Sequence, residues 1–492
     1  MVDFKTAPLG HQREDVAAHG GDPFWARFWE PGVGKTWPTL YEAAQLEEAG
    51  EIRGMLILAP NGVHRNWVVD QIPTHMPDEL LERTRIHTWQ TSRKGTKWHR
   101  EAAQRVLDHD GFSIVAMSYD AVMTEEGCDY WKAFLKGRPC LYALDESPKI
   151  KSPGTKRTKR ILGSHTGAPF RRILTGTPVD DKPFDVYAQV KFLDPTAWHA
   201  VGCGTFSAFK AQFGVWKKRE VVAGTDKNGQ PIMREFPMLV EYRNLRTLRE
   251  IVRQHGSRLL KEDVLDLPPK LYSKRYFEMT PPQRKAYEQL KKDMVTVLDT
   301  GDMVAAELVI TRMLRLQQVT SGWLPNEDGD AMVAVCDPNP RVKLLLEELE
   351  DLPHQAIVWA KYRQDITLIL EALRKAEISV VRYDGQCSDD QMAHAVDSFR
   401  AGDVQVFVAN PKKGCEGITL TGAKTVIYYN NDFQLARRIQ SEDRAHRIGQ
   451  TSPVHIIDLA AVDSIDEKII DILRSKQEMA AYIQGDEARA WL

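Results

Sequence analysis

Arg444 and Arg447 stand three residues apart in Gln440-Ser441-Glu442-Asp443-Arg444-Ala445-His446-Arg447-Ile448-Gly449-Gln450. A guanidinium is planar and always charged, so it can stabilise the charge that develops on a transferred phosphoryl group. Helical spacing of three would put both on one face. An isolated pair of this kind is most often a solvated helix end, but two further groups of residues argue otherwise. In Glu30-Pro31-Gly32-Val33-Gly34-Lys35-Thr36 the glycines let backbone pass close to a polyphosphate. Lys35 supplies a point charge to the β and γ phosphates, and the Thr36 hydroxyl can ligate Mg²⁺. Trp29 occupies the place where the general pattern has its first glycine. Leu141-Tyr142-Ala143-Leu144-Asp145-Glu146 is an apolar run ending in two acids, a buried strand delivering carboxylates to a sheet edge. Asp145 would join the Mg²⁺ shell, and Glu146 would orient and deprotonate the attacking water. A Gly-rich turn or an acidic pair is common by itself. The three groups in one chain imply an ATP-driven motor.

Short apolar strands alternate with helical patterns at both ends of the chain. In the first part they are Met55 to Ala59, Ser113 to Met117, Leu141 to Leu144 and Arg172 to Leu174. In the last part they are Ala356 to Trp359, Val380 to Tyr383, Val404 to Val408, Val426 to Tyr429 and His455 to Leu459. This alternation predicts an α/β protein with two parallel sheets, helices on both faces of each. Between them, Lys227-Asn228-Gly229-Gln230 is a hairpin signal, Pro281 to Gln318 is helical in pattern, and residues 325–330 and 337–340 read as loops. The predicted division is therefore 1–200 for an ATP-binding lobe, 201–340 for hairpin and helical insertions with a linker, and 341–492 for a second lobe.

The 492 residues are 42% hydrophobic and 27% charged, as expected of a soluble globular chain of about three domain-sized units. No apolar stretch reaches membrane-spanning length, and the start lacks a secretory apolar core. Six dispersed cysteines form no Cys-x-x-Cys pair and read as reduced thiols. With a net charge of -2, any basic track for nucleic acid must be local. Lys149, Lys151, Lys156, Arg157, Lys159, Arg160, Arg171 and Arg172 form one such stretch with no acid among them, and Lys217-Lys218-Arg219 is a second cluster. Either could equally be a solvated face.

These motifs, in their order, resemble the Swi/Snf-type branch of the superfamily-two helicase-like ATPases along almost the whole chain. Leu9-Gly10-His11-Gln12 is similar to the family's adenine-reading motif, Leu58-Ala59-Pro60 with Asn66-Trp67 and Ser118-Tyr119-Asp120 to its DNA-contacting motifs, and Leu174-Thr175-Gly176-Thr177-Pro178 to its coupling motif. Arg258 to Lys270 resembles the segment joining the lobes. Ile357-Val358-Trp359, Tyr383-Asp384-Gly385, Gly417-Ile418-Thr419-Leu420-Thr421 and the arginine run follow. The resemblance implies two RecA-like lobes in tandem with a mainly helical insertion. It implies ATP held by Gln12, Gly32, Val33, Gly34, Lys35, Thr36, Gly417 and Gln440, Mg²⁺ at Thr36 and Asp145, and catalysis by Lys35, Asp145, Glu146, Arg444 and Arg447 on lobe closure. It implies duplex DNA tracked along its backbone near Lys156, Arg157, Lys159, Arg160, Thr175, Gly176, Asp384, Gly385, Lys412 and Lys413.

The chain departs from the family pattern in Asp145-Glu146-Ser147-Pro148, where a histidine is usual last, and in Phe433, where tryptophan is usual; both bear on coupling rather than hydrolysis. Without a recognisable reader module it resembles the compact bacterial or bacteriophage members, which implies a cytoplasmic protein with no membrane partner. Whether a protein recruiter serves it is open in the sequence. A strand-separating DNA or RNA helicase and a nucleotide-switched clamp are the alternatives, to be told apart by forked-duplex displacement and by steady-state ATPase measurements.

Overall fold

The computed structural model describes residues 3–164, 168–225, 230–300, 304–326, 328, 331–350, 352–414 and 418–486. The chain forms two compact units. Among the described residues, the first comprises those within 3–213, 243–266 and 478–486, and the second those within 214–242 and 267–477.

Seven strands build the sheet of the first unit: β1 (Phe24–Trp29), β2 (Gly54–Ala59), β3 (Arg85–Thr88), β4 (Ser113–Ser118), β5 (Cys140–Asp145), β6 (Phe170–Leu174) and, from beyond residue 213, Gly256–Leu259. The order is β3-β4-β2-β5-β6-β1, with Gly256–Leu259 outside β1, and every pairing is parallel. Alternate residues such as Met55, Ile57 and Ala59 fill one apolar layer, while Leu56 and Leu58 are equally buried on the other face. A sheet covered on both faces needs such continuous apolar strands. β1 breaks that pattern, because Arg27 lies at its centre. Its guanidinium is fully buried and bonded to Asp15 at 2.8 Å, with Glu42 and Thr39 completing its shell.

In chain order the next strands are β7 (Gly214–Thr225) and β8 (Pro231–Tyr242), a long antiparallel ribbon, so that Gly256–Leu259 becomes β9. The turn at residues 226–229, expected from Asn228-Gly229, lies outside the described residues. The second unit adds β10 (Lys270–Phe277), a small hairpin of β11 (Trp323–Pro325) and β12 (Met332–Ala334), then β13 (Ala356–Trp359), β14 (Val380–Tyr383), β15 (Val406–Ala409), β16 (Thr425–Tyr428) and β17 (Val454–Ala461). Its six-stranded parallel sheet runs β10-β17-β16-β13-β15-β14. Ile357 and Trp359 face one buried layer and Ala356 and Val358 the other. The helical pattern expected from Pro281 to Gln318 is two helices of the second unit, Pro281–Thr300 and Val304–Thr320. β9 and β10, which come from the middle segment of the sequence division, are built into the two lobe sheets. Among the described residues, no helix is long and apolar enough to cross a membrane.

Candidate active site

Parallel strands carry their functional loops at the carboxyl edge of the sheet. The loop after β1 contains Lys35, β5 ends at Asp145 and the loop after it starts with Glu146, and the loop after β6 is Thr175-Gly176-Thr177-Pro178. β6 lies between β1 and β5.

Gly32 and Gly34 adopt φ of 86° and 87°, a region that L side chains disfavour. A Cβ on Gly34 would also sit 2.4 Å from Gln12 Nε2. That close approach is a bond: Gln12 Nε2 donates to the Gly34 carbonyl at 2.8 Å, and Gln12 Oε1 accepts from Leu9 N–H at 2.8 Å. His11 Nε2 lies 2.9 Å from the Val33 carbonyl. Gln12 is thus buried and braces the loop through its amide nitrogen, while its amide oxygen caps the start of its own helix at Leu9. Val33 is buried with its side chain inward. Lys35 Nζ donates to the Trp29 and Glu30 carbonyls at 2.9 and 3.2 Å, and Thr36 opens the helix Thr36–Glu48. The Trp29 indole is fully buried and donates to Ser257 Oγ at 2.8 Å, so the residue at the first position of the pattern ends a strand and the turn begins after it.

Asp145 ends β5. Its Oδ2 accepts from the Trp67 indole N–H at 2.9 Å, and its carbonyl accepts from the Tyr119 hydroxyl at 2.9 Å. Burial, followed by the charge of Asp145, pushes the Tyr119 phenol up, so it remains a donor. Trp67 is buried, and its indole N–H turns toward the acid. Sequence reasoning missed both orienting residues as members of the acid site, because Trp67 comes from the helical segment after β2 and Tyr119 from the end of β4. Glu146 has φ of 52° and ψ of 57°, a left-handed conformation unusual for a non-glycine residue. Its N–H bonds the Leu174 carbonyl at 2.8 Å, and Oε2 lies 3.4 Å from Thr175 Oγ1.

Thr175 and Gly176, expected along a DNA track, face inward. Thr175 is fully buried and accepts from Thr177 N–H at 3.2 Å. A Cβ on Gly176 would stand 2.7 Å from Pro31 Cδ and 2.9 Å from the Trp29 carbonyl, so this segment packs directly on the phosphate loop.

In the second unit, helix Leu435–Glu442 stops before Arg444, so the two arginines do not share a helical face. They converge because both reach the segment after residue 417. Arg444 Nη1 donates to the Ile418 carbonyl at 2.8 Å and Nε to the Gln440 carbonyl at 3.0 Å. Arg447 Nη1 donates to Thr419 Oγ1 at 2.8 Å. Burial first, then the Arg444 charge, lowers the Arg447 pKa. Gln450 fixes the turn by donating to the Thr421 and Ala423 carbonyls, each at 3.0 Å. The preceding helix is anchored through Glu442, which takes Lys270 Nζ at 2.9 Å and Arg438 Nε at 2.7 Å. Burial opposes its charge, yet those two cations hold its carboxyl at about 2. Gly417 lies outside the described residues.

The basic stretch divides. Arg172 is fully buried against Glu42 at 2.9 Å, and Arg171 is buried over the Phe24 ring, so neither belongs to an exposed track. In helix Lys156–Leu162, Lys156 and Lys159 are exposed, whereas Arg157 pairs with Asp120 and Arg160 donates to the Val122 and Met123 carbonyls at 2.9 and 3.1 Å. Asp384 is buried, bonded to Arg382 at 2.6 Å and to the N–H of Gln386 at 2.9 Å, and it shapes the turn that exposes Gly385. Lys412 and Lys413 are exposed after β15.

Residues 28–321, more than half of the chain, match the SNF2-related domain, and residues 340–449 match the helicase conserved C-terminal domain. ATP-dependent helicase brm of Drosophila melanogaster is 25% identical over 92% of this chain, and transcription regulatory protein SNF2 of Saccharomyces cerevisiae 25% over 90%. An uncharacterized ATP-dependent helicase, MG018, of Mycoplasma genitalium is 26% identical over 68%. The chain spans only 27%, 25% and 30% of those relatives' lengths. Among solved structures, the Sulfolobus solfataricus SWI2/SNF2 ATPase core in complex with dsDNA aligns over 99% of this chain and 95% of its own, at 21% identity and a TM-score of 0.42. With the SNF2-related domain matched over more than half of its length, this chain belongs to the SNF2-related family of helicase-like ATPases.

Proposed function

We propose that this protein is a translocase on double-stranded DNA, in which ATP bound by the first lobe is hydrolysed when Arg444 and Arg447 reach its γ phosphate. One observation carries the reading. The Thr175-Gly176 segment touches the phosphate loop through Gly176 and the candidate base through Thr175. A segment so placed feels both the nucleotide and the acid that activates water, as a device that couples hydrolysis to movement requires. Mg²⁺ would be held by the Thr36 hydroxyl and the Asp145 carboxylate, oxygen donors suited to a hard cation that takes its remaining ligands from phosphate and water. It would neutralise phosphate charge.

Lys35 binds the phosphates, Glu146 takes the proton of the attacking water, and Trp67 and Tyr119 orient Asp145. Differential affinity of ATP and ADP for the closed lobes would then ratchet them along DNA. The relatives whose names carry SNF2 or helicase support a nucleic-acid track, and the exposed Lys156 and Lys159 suit its backbone. The test compares ATPase rates with duplex DNA, single-stranded DNA and RNA, together with displacement of a triplex-forming strand from duplex. Stimulation by duplex with triplex displacement is expected. Stimulation confined to single strands or RNA overturns it. A strand-separating helicase is the second reading, favoured by the long ribbon β7–β8, and unwinding of a forked duplex would establish it in place of the first.

A further inference from the structure

Ser147 and Gln189 are polar, uncharged and fully buried, and no step of hydrolysis uses them. Ser147 follows Glu146 and starts the turn Ser147–Ile150. Its hydroxyl donates to Gln189 Oε1 at 2.6 Å. The Gln189 amide nitrogen spends both protons on carbonyls, that of Pro178 at 2.7 Å and that of Asp185 at 2.8 Å. Pro178 ends the Thr175-Gly176-Thr177-Pro178 segment. Asp185 holds the following loop, its carboxylate accepting from the N–H groups of Asp180, Asp181 and Lys182. The other end of the turn is tied as well. Thr158, buried on the inner face of helix Lys156–Leu162, donates its hydroxyl to the Ile150 carbonyl at 3.2 Å. That helix presents Lys156 and Lys159 to solvent.

The turn carrying Glu146 is therefore strung between the basic helix and the segment that packs on the phosphate loop. Position 148 is proline and offers no backbone donor; Ser147 and Gln189 form a neutral, buried side-chain link from this turn to Pro178, beside the ion pairs of Lys151 with Asp180 and Asp181. Glu146 itself sits in a left-handed conformation that its surroundings must hold. A shift of the helix would change the pull on Ile150, and the turn would pass it to Glu146 and to Pro178.

We propose that Ser147 and Gln189 are positioning residues that make hydrolysis at Glu146 depend on DNA held by the helix Lys156–Leu162. The proposal rests on the motor reading above. Buried polar pairs are costly to break singly and nearly neutral to remove together, which gives the test its form.

Hydrolysis is measured on the full chain with and without saturating duplex DNA for Ser147→Ala, Gln189→Met and the double variant, with melting temperatures alongside. Ser147→Ala is expected to lower the DNA-stimulated kcat about 5-fold or more, in the range of ordinary coupling between sites. DNA-free kcat and the KM for ATP should stay within about 2-fold on the same scale. The double variant should match Gln189→Met rather than multiply the two losses. Equal losses with and without DNA would mean a merely structural pair and overturn the proposal, as would a stimulated rate that Ser147→Ala leaves unchanged. If Gln189→Met fails to fold, the split between stimulated and DNA-free rates in Ser147→Ala decides alone. An unmodified protein whose rate ignores DNA overturns the motor reading and the relay with it, whereas a stimulated unmodified protein with an unaffected variant overturns the relay only.

Discussion

The Trp67 indole N–H donates to Asp145 Oδ2 at 2.9 Å, so a residue from the helical segment after β2 sets the orientation of the acid that ends β5. Trp67→Phe keeps the ring in its buried place and deletes the donor. Partners that orient a metal-ligating carboxylate typically contribute ~10-fold or more to metal affinity or activity. The variant should need a higher Mg²⁺ concentration for half-maximal ATPase at an unchanged melting temperature. An unaltered Mg²⁺ titration would leave Trp67 as packing alone.

Lys35→Ala removes the loop cation proposed to bind the phosphates. Turnover should fall ~10²-fold or more, with the circular dichroism spectrum retained. Near-normal turnover in a folded variant would refute the phosphate loop.

The two arginines should behave differently. Arg447→Ala should lower turnover by about 10³-fold, the scale of an arginine finger, with little loss of thermal stability. Arg444→Ala should lose turnover and also melt earlier, because its buried guanidinium ties the Ile418 carbonyl to the Gln440 carbonyl. Equal melting temperatures for the two variants would contradict this division of labour.

Glu442 titrates far below an ordinary glutamate, at about 2. A folded pKa below the unfolded value of about 4.3 stabilises the fold above pH ~5, and that stability is lost as pH falls toward 2. The depression is worth on the order of 3 kcal/mol. Glu442→Gln should therefore melt well below the unmodified protein at pH 7, and the gap should shrink as pH falls from 5 to 3. A gap independent of pH would sink this account.

On duplex DNA, replacing Lys156 and Lys159 by Gln should flatten the logarithmic salt dependence of binding by up to about 0.9 per lysine. Arg160→Gln should chiefly cost stability, since its guanidinium already serves two carbonyls. An unchanged slope in the double lysine variant would make that helix face merely solvated.

The apolar runs at 55–59, 113–117 and 356–359 were legible as strands because both faces of a parallel sheet are buried and the side chains say so. β1 was not, since Arg27 interrupts Phe24–Trp29 and only the distant Asp15 and Glu42 make its burial affordable. The phosphate loop could be read from local spacing because its glycines answer to local backbone geometry. The arginine turn was legible in composition but not in shape, as the helix ends at Glu442. Arg171 and Arg172 looked like surface charge, because charge patterning cannot see a partner such as Glu42, 130 residues away. Ser147 and Gln189 carry no motif signal at all; their meaning is a contact across 42 residues.

The parallel pairing of β1 with β9 has a consequence for synthesis. As the chain leaves the ribosome, the strand that leads into the phosphate loop is complete at Trp29, but its outer neighbour, Gly256–Leu259, is made more than 200 residues later. Until then the nascent protein presents one unpaired edge of β1, the kind of edge that recruits foreign strands. Gly256 comes so close to Ala26 that a Cβ there would lie 2.5 Å from the Ala26 carbonyl, leaving no room for a bulkier late arrival. The first unit is thus finished out of order, and a growing chain stalled before residue 256 holds the loop after β1 on an open sheet.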